Sequence, residues 1–287
     1  MLLSLRTRRV SVRLAAGLLL STLTAAALRP AAAADAYTPS HDPASPITDH
    51  FYLRVSYFHP ALNTTIRADP AGKPYGGTQL SGEDDLGLPG KDNQARLELM
   101  FRLRERNRMR VDFFQENRSG SAVLASPIIF GDQTFAAGSQ TETTLNWKMM
   151  GFTYTHAFLQ TPRFELGAGI GLHLIEADGI GSVPATFQRH ETSVAGAWPT
   201  IATDGIWRIS RRFAFTARAQ YFGVSVNGLA GSLGDYHGDF QYRWRSNFAI
   251  GLGYEYIRGS FQSTSNGTPG LFILSAGGPE AFLRVSF

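Results

Sequence analysis

The chain has no cysteine among its 287 residues. Disulfides, thiolate catalysis and cysteine-ligated zinc are therefore excluded, and so is a lipid anchor carried on a cysteine. Charge is sparse at 17%. After residue 34 no window holds 18 consecutive apolar residues, so no membrane-spanning helix is expected there. Helical 3.6-residue periodicity is also missing. The net charge of +4 misleads, because Arg6, Arg8, Arg9, Arg13 and Arg29 all precede residue 34 and no acid does. Without those five, 22 basic residues face 23 acidic ones. The mature chain therefore has no basic surplus of the kind that nucleic-acid binding needs.

What is abundant is glycine (30), phenylalanine (20) and tyrosine (10), the residues of turns, strands and interfacial aromatic girdles. Met1–Arg13 is basic, Leu14–Leu28 is apolar, and Ala31–Ala34 supplies small residues. This order is that of a secretory signal peptide, with cleavage expected after Ala34 and Ala36 as the rival position. The competing reading is an N-terminal membrane anchor, for which the apolar run is short. Residues 35–49, rich in Pro, Ser and Asp, are expected to be a flexible periplasmic segment before a barrel at 50–287.

Within 50–287, apolar and polar residues alternate with period two. Phe51, Leu53, Val55 and Tyr57 share one face; Arg96, Glu98, Arg102 and Arg104 alternate with Leu97, Leu99 and Leu103; Ala281–Phe287 does the same. Alternation alone suits any half-buried sheet. Connection lengths discriminate further. Short turns are expected near 105–107, 160–162, 210–211 and 245–246, and long loops near 69–92, 119–142, 177–195, 227–237 and 261–277. Short turns on one rim and long loops on the other mark a transmembrane antiparallel up-and-down β-barrel of the outer-membrane type. Ten strands are counted, at 51–67, 94–104, 108–118, 143–158, 163–176, 197–209, 212–225, 238–244, 247–260 and 278–287. Pro60 interrupts the first and the eighth is short, which leaves eight or twelve open. Lipid satisfies no free sheet edge, so the sheet must close.

The alternation then sorts side chains. Leu53, Val55, Tyr57, Leu97, Phe113, Ile170, Ile250, Leu252 and Leu283 are among those expected to face lipid. Arg54, Arg96, Glu98, Arg102, Arg110, Asp112, Glu116, Glu165, Asp204, Arg208, Arg218, Gln220, Arg243, Glu255, Glu280 and Arg284 are expected to face the lumen. Both signs are mixed, and charges in a narrow lumen must pair. Gly167, Gly169, Gly171, Gly251 and Gly253 fall on the lumen side, where they make room for bulky neighbours. Their G-x-G-x-G spacing is not a dinucleotide fingerprint. Leu283, Val285 and the terminal Phe287 are expected to serve as the signal read by the barrel-assembly machinery.

No catalytic, cofactor or metal motif is found. None of the seven histidines sits at a metal-ligand spacing. His173, in phase with Glu165, is a lumen residue with a general base as its bolder reading. Asp235, His237 and Asp239 are explained by strand spacing and a polar loop. Glu83-Asp84-Asp85 is the densest acidic run, a solvated turn or a hard-cation site.

Three segments carry a family likeness. Gly77-Thr78-Gln79-Leu80-Ser81-Gly82-Glu83-Asp84-Asp85-Leu86-Gly87-Leu88, Phe130-Gly131-Asp132-Gln133-Thr134-Phe135 and Glu165-Leu166-Gly167-Ala168-Gly169-Ile170-Gly171-Leu172-His173 resemble, in the same order, segments of a group of uncharacterised proteobacterial outer-membrane β-barrel proteins. The resemblance implies the barrel and its location, and no activity. The function expected is therefore that of a non-enzymatic outer-membrane barrel, structural or surface-interacting, with a charge-paired and largely plugged lumen. The alternatives are a narrow pore or transporter for small solutes and a barrel enzyme acting on lipid or peptide. Expected partners are outer-membrane lipids, lipopolysaccharide and the assembly machinery, with no nucleic acid. The ligand is open and a monomer is expected.

Overall fold

In the computed structural model the described residues are 46–184, 188–265 and 269–287, with the side chains of 188–194 left aside. The leader and its cleavage site lie outside them. The elements are all strands: β1 (Phe51–Phe58), β2 (Ala61–Ala68), β3 (Leu80–Ser81), β4 (Gln94–Arg104), β5 (Asn107–Val123), β6 (Ile128–Phe130), β7 (Gln133–Phe135), β8 (Gln140–Gln160), β9 (Phe164–Val183), β10 (Gln188–Arg208), β11 (Phe213–Val226), β12 (Leu229–Arg245), β13 (Phe248–Ser263) and β14 (Gly270–Ser286). The long strands pair antiparallel with their sequence neighbours, and β14 returns to pair with both β1 and β2. β1 and β2 are one strand broken at His59-Pro60, since proline cannot donate to the ladder. Counted so, ten strands close the wall, and each position expected for a strand holds one.

Alternation sets the two faces. Along β4, Gln94, Arg96, Glu98, Met100 and Arg102 are buried while Leu97, Phe101 and Leu103 are exposed. Tyr57, Phe113, Tyr154, Ile170, Ile201, Leu252 and Leu283 stand exposed on the same outer face of their strands. An apolar outside around a charged inside inverts a soluble sandwich and fits a lipid-facing wall.

Three of the expected long loops are corrected to strand. β9 continues to Val183 and β10 begins at Gln188; β13 continues to Ser263 and β14 begins at Gly270; β11 and β12 meet in a two-residue turn. That turn is Asn227-Gly228, with φ of 49° and 80°, the left-handed pair that a tight hairpin requires. The extensions are rich in Gly, Ser and Ala, which blurs the alternation, yet their inward positions still bury Ala177, Val183, Leu233, Phe261 and Leu274. β8, β9 and β10 reach 21, 20 and 21 residues, about twice the 9–11 that a membrane span needs. The outer end of the wall therefore rises well clear of the hydrocarbon.

The first long loop completes this wall. Above Gln94, β4 has ended and β2 faces β5 across a gap. The chain from 69 to 93 fills it: Leu62 N donates to Gly90 O, Gly82 N to Thr64 O, and β3 pairs with β2. On the far side the loop presses on β5, backbone against backbone. A Cβ at Gly120 would lie 2.1 Å from Gly87 O, and Gly87 itself has φ +69°. Only glycine fits both positions.

Candidate functional site

The lumen has two layers. Toward the rim of the short turns, nearly every strand points an ionisable side chain inward. Asp49 accepts from Arg243 (2.7 Å) and Arg284 (2.6 Å). Glu165 accepts from Arg108 (2.7 Å) and Arg102 (3.4 Å), and Arg108 also meets Asp204. Arg54 reaches Asp239 (2.8 Å) and Glu280 (2.6 Å), with His237 beside them. Glu98 takes Arg218 and the Tyr52 hydroxyl. Arg96 bonds Asp112 and Asp235, each at 3.0 Å, and abuts Glu255. Arg118 closes the layer on Glu116 and on Glu83 (2.6 Å). Two guanidiniums also lie over aromatic faces, Arg54 on Phe282 at 3.6 Å and Arg284 on Tyr52 at 3.8 Å, a contact that holds the cation without another carboxylate.

Each lumen residue named from alternation can be placed. Arg54, Arg96, Glu98, Arg102, Arg110, Asp112, Glu116, Glu165, Asp204, Gln220, Arg243, Glu255, Glu280 and Arg284 are buried. Arg218 is nearly so, at 13% side-chain exposure. Arg208 is half-buried at the periplasmic end of β10. The alternation also reaches residues that went unassigned. Arg108 and Arg118 share parity with Arg110. Asp235, His237 and Asp239 share parity with Arg243 and sit inside the wall, not in a loop. Parity with a recognised neighbour was the available signal. Asp49 and Ile47 are buried at 3% and 4%, so the last residues of the segment 35–49, expected to be flexible, are tied into the mouth of the barrel, while residues 35–45 lie outside the described ones. The outward set carries Leu283 and Val285, and the backbone of Phe287 pairs with Phe51 to seal the seam.

The glycines make this packing feasible. A Cβ at Gly167 would fall 2.5 Å from Asp204 Oδ1, at Gly171 2.4 Å from Thr200 Oγ1, and at Gly251 2.2 Å from the Phe282 ring. Gly167, Gly171 and Gly251 therefore mark where a neighbour's side chain crosses the wall, whereas at Gly169 it is the adjacent backbone that comes close, 1.8 Å from such a Cβ at Tyr154 O.

Toward the outer rim the lumen turns apolar. Phe58, Phe114, Leu145, Trp147, Met149, Ile175, Leu233, Ile257, Phe261, Phe272 and Leu274 fill it from the wall. Trp147 is 1% exposed and stacks on Phe272 with ring centroids 5.7 Å apart. Leu80, Leu86 and Leu88 of the first loop and Ile128 and Phe135 of the β6–β7 hairpin cap this core. The two caps are tied together: Thr78 N donates to Ile129 O (2.7 Å), and Gly131 N to Ala68 O (2.9 Å). Two of the three family-like segments thus form the lid. The third lies in β9 and carries the glycine row and His173. The acidic run does not converge: Glu83 turns to Arg118 and Thr64 N, Asp85 to Ser81 N, and Asp84 to Ser81 Oγ.

Little space remains. A cavity of about 40 Å³ lies under the lid, lined by Ile66, Leu80, Leu86, Ile128 and Phe135. Another of about 20 Å³ lies in the charged layer among Arg54, Glu98, Arg108 and Arg218. Each holds about one water. A larger hollow, about 900 Å³, lies where Val55, Tyr57, Phe240, Ile250, Leu252 and Leu283 present exposed side chains, outside the lumen on the lipid-facing wall.

No protein-family model matches the chain, and no curated protein matches it. Among solved structures, the chain is similar to the outer membrane protease OmpT of Escherichia coli, at 13% identity over 82% of this chain and 97% of that one, with a TM-score of 0.48. It is similar to Ail, the attachment invasion locus protein of Yersinia pestis, at 11% identity over 80% and 99%, with a TM-score of 0.32. Neisserial surface protein A matches at 11% identity over 83% and 97%, with a TM-score of 0.31. The all-β antiparallel barrel is read from the strand pairing of this chain itself.

Proposed function

We propose that this chain is a closed barrel of the bacterial outer membrane that acts as a structural and surface-interaction protein, not as a pore or an enzyme. One observation carries the reading: the lumen is filled along its length, first by paired charges and then by an apolar core under a stitched lid. The lumen cavities of about 40 Å³ and about 20 Å³ are far below what a solute path needs. A selective pore is lined by a ring of one sign; here guanidiniums and carboxylates alternate and neutralise one another. The apolar outer wall and the charge-free belt between Tyr57 and Leu252 support an outer-membrane location, with lipids as the first partners. The long walls above that belt and the lid formed by residues 69–93 and 128–135 present the surface on which a partner or lipopolysaccharide would dock.

The test is single-channel recording of the refolded protein in a planar bilayer. A folded barrel that gives no steady steps supports the closed reading. Reproducible unitary conductance from folded protein overturns it and turns the lumen arginines into selectivity residues.

A further inference from the structure

His173 is the least explained residue of the lumen. It lies at the middle of β9 with no exposed surface, and neither ring nitrogen has a hydrogen-bond partner among the described residues. A buried imidazole without a partner is costly. Around it the fold has built a gap. Asp112 on β5, Gly151 on β8 and His173 on β9 form one row across three adjacent strands, Asp112 opposite Gly151 and Gly151 opposite His173. Gly151 has no side chain to fill the space between the other two. A Cβ there would come within 2.6 Å of Asp112 Oδ1, an oxygen that itself lacks a partner. Asp235 arrives from β12 on the opposite wall. One ring nitrogen of His173 and one oxygen each of Asp112 and Asp235 lie within 4.8 Å of one another.

We propose that His173, Asp112 and Asp235 form a binding site for a divalent transition-metal ion, zinc(II) above all, that ties β5, β9 and β12 together across the lumen. One imidazole with two carboxylates suits zinc or manganese better than calcium or magnesium, which take oxygen donors alone. Bonds of about 2.1 Å in a tetrahedral site set donor atoms about 3.4 Å apart, so donors that lie within 4.8 Å of one another close on an ion with side-chain shifts of under about 1 Å. Charge favours a cation as well. Asp112, Asp235 and Glu255 converge on the single guanidinium of Arg96, and counting the nearby Arg110 still leaves negative charge in excess. The other buried cluster of this kind, His237, Asp239 and Glu280, offers no such opening. Its histidine is engaged on both ring nitrogens, whereas among the described residues neither nitrogen of His173 is.

The lumen is sealed, so the ion must enter during folding. The full mature barrel is therefore refolded with zinc(II) or with manganese(II), stripped of loose metal by chelator and gel filtration, and its metal counted by mass spectrometry. One zinc per folded barrel is expected in the parent and in His156→Gln, whose histidine is exposed outside the lumen. His173→Leu and Gly151→Ala, whose methyl fills the gap and presses on the Asp112 carboxylate while leaving all three donors in the sequence, are expected to fall below a tenth of that. Folding of each variant is checked by its shifted mobility on unheated gels. If His173→Leu does not refold, Gly151→Ala decides. A folded parent that retains no zinc, or a folded variant that retains as much as the parent, overturns the site.

Discussion

Glu98→Ala removes the one carboxylate that faces both the Arg218 guanidinium and the Tyr52 hydroxyl. Glu98 is 2% exposed, and the cavity beside it, about 20 Å³, has room for about one water. The alanine leaves Arg218 with His237 as its remaining hydrogen-bond partner and Tyr52 without its acceptor. Breaking a buried pair from one side costs about 3–5 kcal/mol, because the remaining charge stays desolvated. With a denaturant dependence of about 3 kcal/mol per molar urea, the unfolding midpoint in lipid vesicles should drop by about 1 M. Glu98→Leu combined with Arg218→Met removes both charges, and the pair should return most of the way to the parent, because the ion pair by itself contributes little net stability. His237 keeps Glu280 and Arg54 in that variant, so no second charge is stranded. Tryptophan fluorescence and gel mobility across a urea series read both. If Glu98→Ala unfolds at the parent's midpoint, the lumen is hydrated and the charges are not paired in the way argued. If the double variant is as damaged as the single one, the loss is one of packing, and the electrostatic reasoning fails.

Three further outcomes follow from other parts of the barrel. Trp147→Ala empties the centre of the apolar layer and should cost about 3–5 kcal/mol; because the lid rests on that layer, the loop at 69–93 should become cleavable by added protease while the periplasmic end stays protected. Gly251→Ala would put a methyl 2.2 Å from the Phe282 ring and 2.6 Å from Phe240 O, an overpacking of about 1–3 kcal/mol that should show as a lower thermal midpoint, with only partial recovery in Gly251→Ala combined with Phe282→Leu, since the Phe240 carbonyl stays. Leu252→Arg places a charge on an outward position that is 68% exposed at the middle of the lipid belt, which should cost about 2–4 kcal/mol, whereas Val226→Arg, beside the outer hairpin turn, should cost less than about 1 kcal/mol; equal effects in vesicles would mean that the hydrocarbon does not lie where the wall is apolar.

Several features of this barrel were legible because period two is a property of the strand itself. Successive side chains must point to opposite faces, so Leu97 and Leu99 could be assigned to lipid and Arg96 and Glu98 to the interior before any partner strand was known. The glycine row at 167, 169 and 171 was legible for the same reason. The outer halves of the strands were not. Their outward residues are small or polar, because no lipid surrounds them, and their inward residues mix glycine with isolated aliphatics. The alternation therefore faded where the hydrocarbon ended, and strand was mistaken for loop. Asn227-Gly228 was the local sign that one of those stretches was a tight hairpin.

The sequence by itself determined the class of fold, the two faces and the presence of a mixed-sign lumen, since each follows from local alternation and from the need to close a sheet; it counted ten strands with eight or twelve open, and the closed ladder decided for ten. Only the tertiary structure decided which charges meet. Arg54 with Asp239, Arg218 with Glu98 and Arg243 with Asp49 join residues more than a hundred positions apart, and their pairing depends on the curvature and register of a closed wall. The same holds for the lid and for the Asp112–Gly151–His173 row: a loop that replaces a missing stretch of wall, and a gap left by one glycine between two strands, exist only after the barrel has closed and brought those backbones together.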